Sequence, residues 1–239
     1  MTKNNILEIK SLSKSFKDKK VLKSFSFDVK AGEIFGLIGV NGIGKTTLIK
    51  IILDLLRTDR GKVNIFGIDS TNKNSRSNIS YLPEKFHPSS FLKGHEFLEL
   101  SMGYFNKDYD KKKAIELAKS LDLDKNALDH KVTKYSKGMG QKLGLISMFL
   151  SGAPLLILDE PMSGLDPHVR IKLKDLLKEY ASEGNTVFFS SHILSDIDEI
   201  CDRVGVIHKG SLTFLGTAKQ FKTKYKAKTL ERAFLNVIS

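Results

Sequence analysis

Cysteine is almost missing from this 239-residue chain: Cys201 is the only one. A single thiol excludes an intrachain disulfide and any zinc or iron–sulfur site built from several thiolates. A long apolar run is missing too. The longest stretch without a charged residue covers residues 143–158; its 16 residues are short for a membrane span and are broken by Gly152 and Pro154. The first thirty residues carry eight lysines and no apolar core, so no secretory signal is expected there. Internal repeats and low-complexity segments are absent as well. With 41% hydrophobic and 28% charged residues, the composition is that of a globular protein that buries a substantial core, which excludes a disordered chain.

Acidic residues are in the minority, 27 against 39 lysines and arginines, for a net charge of +12. Residues 1–30 set eight lysines against Glu8, Asp18 and Asp28, and residues 209–239 set six lysines and Arg232 against Glu231. Such a balance suits nucleic acid or an anionic membrane face. It equally suits a solvated surface with a lysine-biased composition, since 33 of the 39 basic residues are lysine.

What is present is an alternation of strands and helices. Residues 22–29 alternate apolar and polar and read as a strand, and residues 34–38 are a short apolar run of the kind found in buried strands. A glycine-rich turn at residues 39–44 leads into a helix expected over 46–56, followed by a strand over 62–66. Residues 94–105, 111–121 and 137–150 read as helices; in the second of these Ile115, Ala118 and Leu121 recur at helical spacing. From Pro154 the alternation returns: strands at 155–158, 186–190 and 204–207, and helices at 167–180, with proline in its first turn, and 194–200. The expected fold is an α/β core in three layers, interrupted by a helical segment at about residues 85–153.

Residues 39–46 read Gly-Val-Asn-Gly-Ile-Gly-Lys-Thr and fit the phosphate-binding pattern G-x-x-x-x-G-K-[ST]. A polyphosphate needs converging backbone N–H donors, and side chains would block their approach. Gly39, Gly42 and Gly44 permit it. The following helix directs its N-terminal amides and dipole at the anion. Lys45 can reach the β and γ phosphates, and the Thr46 hydroxyl can ligate Mg2+.

The strand at 155–158 ends in Asp159 and Glu160. If this strand neighbours the one before the loop, Asp159 reaches the magnesium shell and Glu160 can orient or deprotonate the attacking water. Taken alone, the pair is also a solvated strand end, with Pro161 starting a turn. His192 by itself is open to a structural reading, Phe16 to a place in the core, and Ser136 to a helix N-cap ahead of residues 137–150.

Together these residues resemble the ATP-binding subunits of ABC transporters along nearly the whole chain. Tyr135-Ser136-Lys137-Gly138-Met139 is similar to the family's Leu-Ser-Gly-Gly-Gln signature, and Ser163-Gly164-Leu165-Asp166 to the loop after its catalytic carboxylate. His192 matches the switch histidine, Phe16 the aromatic that stacks on adenine, and Tyr81-Leu82-Pro83-Glu84 the joint between core and helical subdomain. Glu84 stands where the family usually has glutamine, a carboxylate that adds charge near the metal, and Lys137 and Met139 depart from the signature.

The resemblance implies a RecA-like P-loop NTPase core with an antiparallel β subdomain and an inserted α-helical subdomain. Residues 1–239 would be one ABC ATPase domain, with 1–84 and 154–239 as nucleotide-binding core and 85–153 as helical subdomain. It implies ATP and Mg2+ as ligands, with Glu160, His192 and Lys45 catalytic and Thr46, Glu84 and Asp159 at the metal. Phe16, Gly39, Asn41, Gly42, Gly44, Lys45, Thr46, Thr47, Ser136, Gly138 and Asp166 would bind nucleotide, Ser136 and Gly138 from a second chain across the interface. The implied partners are a second copy or a homologous ATPase, and a separate membrane permease that places the protein on the cytoplasmic face of the membrane. An exporter is expected and no nucleic acid. The alternative is a soluble ABC-type ATPase acting on nucleic acid or the ribosome. The aromatic stretch Phe86, Phe91, Phe97, Tyr104 and Phe105 offers a permease-docking groove or a subdomain core, with Phe97 expected inside and Phe86 and Phe91 exposed.

Overall fold

A computed structural model describes residues 5–238. Its elements in chain order are β1 (Asn5–Phe16), β2 (Lys19–Lys30), β3 (Ile34–Ile38), α1 (Lys45–Ile52), β4 (Arg60–Ile65), β5 (Ile68–Asp69) and β6 (Ile79–Leu82). Then come α2 (Gly94–Tyr104), α3 (Lys111–Ser120), α4 (Lys137–Ser151), β7 (Leu155–Asp159), α5 (Pro167–Ser182), β8 (Thr186–Ser191) and α6 (Leu194–Ile200). The last are β9 (Arg203–His208), β10 (Ser211–Gly216), α7 (Ala218–Lys224) and α8 (Leu230–Ile238).

Six strands form one sheet in the order β10-β9-β3-β8-β7-β6, parallel except for β10. Every residue of β3, β7 and β8 is buried. Strands covered on both faces favour apolar residues on both, which is why their middles read as continuous runs rather than alternations; the buried polar residues sit at strand ends, Asp159 in β7 and Thr186, Ser190 and Ser191 in β8. The other sheet, β2-β1-β4-β5, is antiparallel. The α/β fold with an antiparallel sheet and a helical insertion is therefore the one expected.

Phe27 from the antiparallel sheet, Phe35 from β3 and Phe188 from β8 join the two sheets. Their rings stack nearly parallel, with centroids 5.3 Å apart for Phe27–Phe35 and 5.7 Å for Phe35–Phe188. All three are buried, so they supply both apolar burial and ring–ring attraction at the joint.

Two local departures from the sequence reading have backbone causes. Strand β1 escapes the alternation rule because its register against β2 shifts between Ile9 and Leu12, with Ser11 at φ +49°. The bulge puts Leu7, Ile9 and Leu12 on the buried side at unequal spacing. Helix α1 ends at Ile52 instead of residue 56, because Asp54 turns to φ +55°.

Helices α2 to α4 lie between β6 and β7, and α4 packs on the end of β6 through Gly144. A Cβ at Gly144 would lie 2.6 Å from Leu82 Cδ1 and 2.9 Å from Phe86 Cδ1. Leu82 is fully buried and has no room to retreat. Gly144→Ala is thus expected to destabilise the protein by about 1–3 kcal/mol, read as a lower midpoint of thermal unfolding. An unchanged midpoint would show that the contact relaxes freely. The same contact corrects the expectation for Phe86: it is half-buried and packs edge-to-face on Phe97 at 5.7 Å. Phe91, at 85% exposure, is outside as expected.

Candidate functional site

In a parallel sheet the C-terminal ends of the strands share one edge, and the loops leaving that edge can converge. Three do so here. The loop after β3 carries residues 39–44 into α1, the end of β7 carries Asp159 and Glu160, and the end of β8 carries Ser190, Ser191 and His192. The strands of the first two are not neighbours, contrary to the condition placed on the acidic pair: β8 lies between β3 and β7. The two loops still meet, because Thr46 and Lys45 reach past β8 to Asp159 and Glu160, while Ser190 and His192 hold the other oxygens of that pair.

Gly44 caps α1 with φ +118°, and a Cβ there would lie 2.9 Å from Val21 Cγ1, so the turn has room only for glycine. Lys45 and Thr46 are then the first two residues of α1. Thr46 Oγ1 donates to Asp159 Oδ2 at 2.7 Å, and Ser190 Oγ donates to Asp159 Oδ1 at 2.5 Å. Both oxygens of this fully buried carboxylate are therefore satisfied and fixed.

Glu160 is held from both ends. Its backbone N–H donates to the Ser190 carbonyl and hydroxyl, at 3.2 and 3.1 Å. Its φ of +52° is a left-handed conformation that costs a residue with a side chain about 1–2 kcal/mol. Such strain is kept where the surroundings over-determine it, often at functional sites. Oε2 lies 2.7 Å from His192 Nδ1 and accepts the His192 N–H at 3.3 Å. Oε1 lies 3.0 Å from Lys45 Nζ as an ion pair, but out of hydrogen-bond alignment, so this buried oxygen has no hydrogen-bond donor. Lys45 Nζ instead donates to the Gly39 carbonyl at 2.6 Å.

These side chains open into a cavity of about 240 Å³ lined by the P-loop residues Asn41, Gly42, Gly44, Lys45, Thr46 and Thr47, and by Glu84 and Glu160. It presents helix N-terminal amides and one ammonium on one side and carboxylates on the other. That donor set fits an anion carried together with a divalent cation. Among the described residues no group of three or more His, Cys, Asp or Glu could hold a metal ion by itself.

The remaining expected residues are placed as follows. Gly39 is buried beneath the loop and contributes its carbonyl to Lys45. Phe16 ends β1 and is 46% exposed, with Lys14 Nζ 5.5 Å from its ring. Asp166 is exposed at the start of α5 and makes no side-chain cap. Ser136 caps α4, its Oγ accepting from the Met139 N–H at 3.2 Å. Ser136 does not line the Lys45 cavity. It lines a separate cleft of about 680 Å³ with Pro88 and Gly140, and Glu84 borders both. Gly138 packs near the Gly164 carbonyl. Ser190 is the site residue that sequence reasoning missed; its only signal was a pair of serines closing an apolar strand just before His192.

A family profile described as ABC transporter matches residues 22–163, more than half of the chain. An uncharacterized ABC transporter ATP-binding protein of Nostoc sp. is 37% identical over 199 residues, 82% of this chain and 59% of that protein. The chain thus spans about six tenths of the length of that relative. The linearmycin resistance ATP-binding protein LnrL of Bacillus subtilis is 30% identical over 220 residues, 89% of this chain and 69% of LnrL. A solved structure described as the ATP binding subunit of an ABC transporter superposes with a TM-score of 0.90 at 29% identity, covering 97% of this chain and 99% of that one.

Proposed function

The chain belongs to the ABC transporter ATP-binding family, and on that premise we propose that it hydrolyses Mg-ATP to ADP and phosphate as the motor subunit of a transporter. The observation that carries this reading is the contact network in which Thr46 meets Asp159 and Glu160 meets Lys45 and His192, beside the cavity that Lys45, Thr46 and Glu160 line. Residues 39–47 cradle the phosphates, with Lys45 on their terminal oxygens and Phe16 against the base. Thr46, Asp159 and Glu84 would hold magnesium, which when bound neutralises phosphate charge. His192 fixes Oε2 of Glu160. Oε1, buried and without a donor, is left to accept the proton of the attacking water.

Ser136 and Gly138 sit outside the cavity of their own chain, which supports their meeting the γ-phosphate of a second copy or a homologous subunit, with ATP clasped between. Asp166, exposed at its helix start, is free to cross the same interface. In this reading residues 1–84 and 154–239 are the nucleotide-binding core and 85–153 the helical subdomain, all within one domain. Magnesium-dependent phosphate release from ATP by the purified protein, alone or with its permease, tests the activity. Nucleotide binding with no such release would reduce the protein to a binder.

Among the described residues no helix is long and apolar enough to cross a membrane. We assign the transport path to a separate permease, with this chain at the cytoplasmic face, a reading supported by kinship with proteins named as ABC transporter ATP-binding proteins. Export is supported by the kinship with a protein named for resistance to linearmycin. For docking, α2 and the segment before it leave Phe91, Leu100 and Tyr104 exposed at 85%, 54% and 82%. Bulky apolar and aromatic groups of this kind anchor interfaces. The double variant Phe91→Ser/Tyr104→Ser is expected to leave the membrane fraction of cells co-expressing the permease while binding ATP normally. Unaltered sedimentation would move the docking site elsewhere.

A further inference from the structure

Helices α5 and α6 each begin where a loop of the site ends. Helix α5 starts directly after Asp166, and α6 starts two residues after His192. A ladder of charges joins them. Asp196, buried in the first turn of α6, accepts from Arg170 Nη2 at 2.6 Å through Oδ2, and its Oδ1 lies 3.5 Å from Lys174 Nζ. Lys174, also buried, bonds to Glu199 one turn further along α6, and Lys178 Nζ stands 3.9 Å from Glu199 Oε1. Arg170 is tied to the other loop as well, since its backbone N–H donates to the Asp166 carbonyl at 3.0 Å. Arg170 Nε is buried without a partner, so its hold on α6 rests on the Asp196 contact.

We propose that Arg170 and Asp196 are a positioning pair that holds His192 against Glu160 and moves the Asp166 and His192 loops as one unit. A seven-residue helix has little stiffness of its own and needs an anchor outside it. Asp196 supplies one a single turn from His192, and Arg170 transmits it to the helix that leaves the Glu160 loop. Once the pair is broken, α6 keeps the Lys174 contacts and the burial of Leu194, Ile197 and Ile200 but loses its hold nearest His192, and the imidazole orients Oε2 of Glu160 less firmly. This role deepens the ATPase reading and rests on it.

Asp196→Asn keeps the size of the side chain and removes its charge. It is expected to lower kcat by between about tenfold and about a hundredfold, the scale on which misplacement of a reacting group acts. KM for ATP should stay within about twofold, because Lys45, Thr46 and Asp159 are untouched. A merely structural role would not produce two further results. The loss from Asp196→Asn should vanish in a His192→Ala background, giving a strongly non-additive cycle. The His192 imidazole signal in the nucleotide-free protein, identified by its loss in His192→Ala, should shift in Asp196→Asn while unfolding remains cooperative.

If Asp196→Asn does not fold, Arg170→Lys decides by the same readings. A normal kcat, additive losses, or an unmoved His192 signal would overturn the proposal. A wild-type protein that hydrolyses no ATP would instead overturn the functional reading, and the imidazole shift would still decide whether the pair positions His192.

Discussion

Glu160→Gln is expected to bind ATP and to hydrolyse it between about a hundredfold and about ten-thousandfold more slowly, the range lost with a positioned general base. The amide keeps the shape of the side chain but cannot take a proton from water. Nothing that binds the phosphates is removed: Asp159 remains between Thr46 and Ser190, and the loop glycines are unaffected. The change also frees Lys45 from an ion pair at 3.0 Å, so affinity for ATP should hold or rise. With the hydrolysis step blocked and the site shared between chains, the variant should accumulate as a dimer in Mg-ATP, read by size-exclusion chromatography beside a phosphate-release assay. Near-normal hydrolysis would remove Glu160 from the base role. A variant that stays monomeric at saturating Mg-ATP would count against the shared site.

Lys45→Ala has the other large effect, and it acts on binding. A hydrogen bond to a charged group contributes about 1.5–3 kcal/mol, so ATP affinity should fall by between about tenfold and about a hundredfold. The chain has no tryptophan, so the fall is best followed with a fluorescent nucleotide analogue. The structure adds a second consequence. Lys45 is 6% exposed and faces a Glu160 side chain that is 7% exposed, so its removal leaves a buried carboxylate with His192 as its remaining side-chain partner. Stability should fall as well, by no more than the roughly 3–5 kcal/mol typical of breaking a buried pair, read as a lower thermal midpoint. Restoring stability with Lys45→Ala/Glu160→Gln while affinity stays low would separate the two roles. Wild-type affinity in Lys45→Ala would place the phosphates elsewhere.

The site was legible wherever chemistry demands a fixed local spelling. Residues 39–46 are an example, because the spacing of three glycines, a lysine and a threonine matches what a strand–loop–helix needs to surround phosphate. The buried strands were legible for a similar reason, since a strand covered on both faces is mostly apolar along its length, as in β3 and in β7 up to Asp159. Strand β1 was not, because one bulged residue shifts the phase of its alternation. Phe86 was misplaced because adjacent Pro88 and serines suggest a loop, whereas its burial comes from Gly144, far along the chain, whose missing side chain leaves the space.

The sequence by itself determined the residue types of the site, because phosphate, metal and water each require particular groups at short range. Only the tertiary structure decided how they meet. Strand β8 separates the P-loop strand from the acidic one, and Thr46 and Lys45 reach past it to Asp159 and Glu160, which Ser190 and His192 hold in place. Ser136, in the same chain, is turned to a different cleft. Strand order and helix docking are set by the burial of long-range contacts, and burial depends on residues distant in the sequence that no local pattern can name.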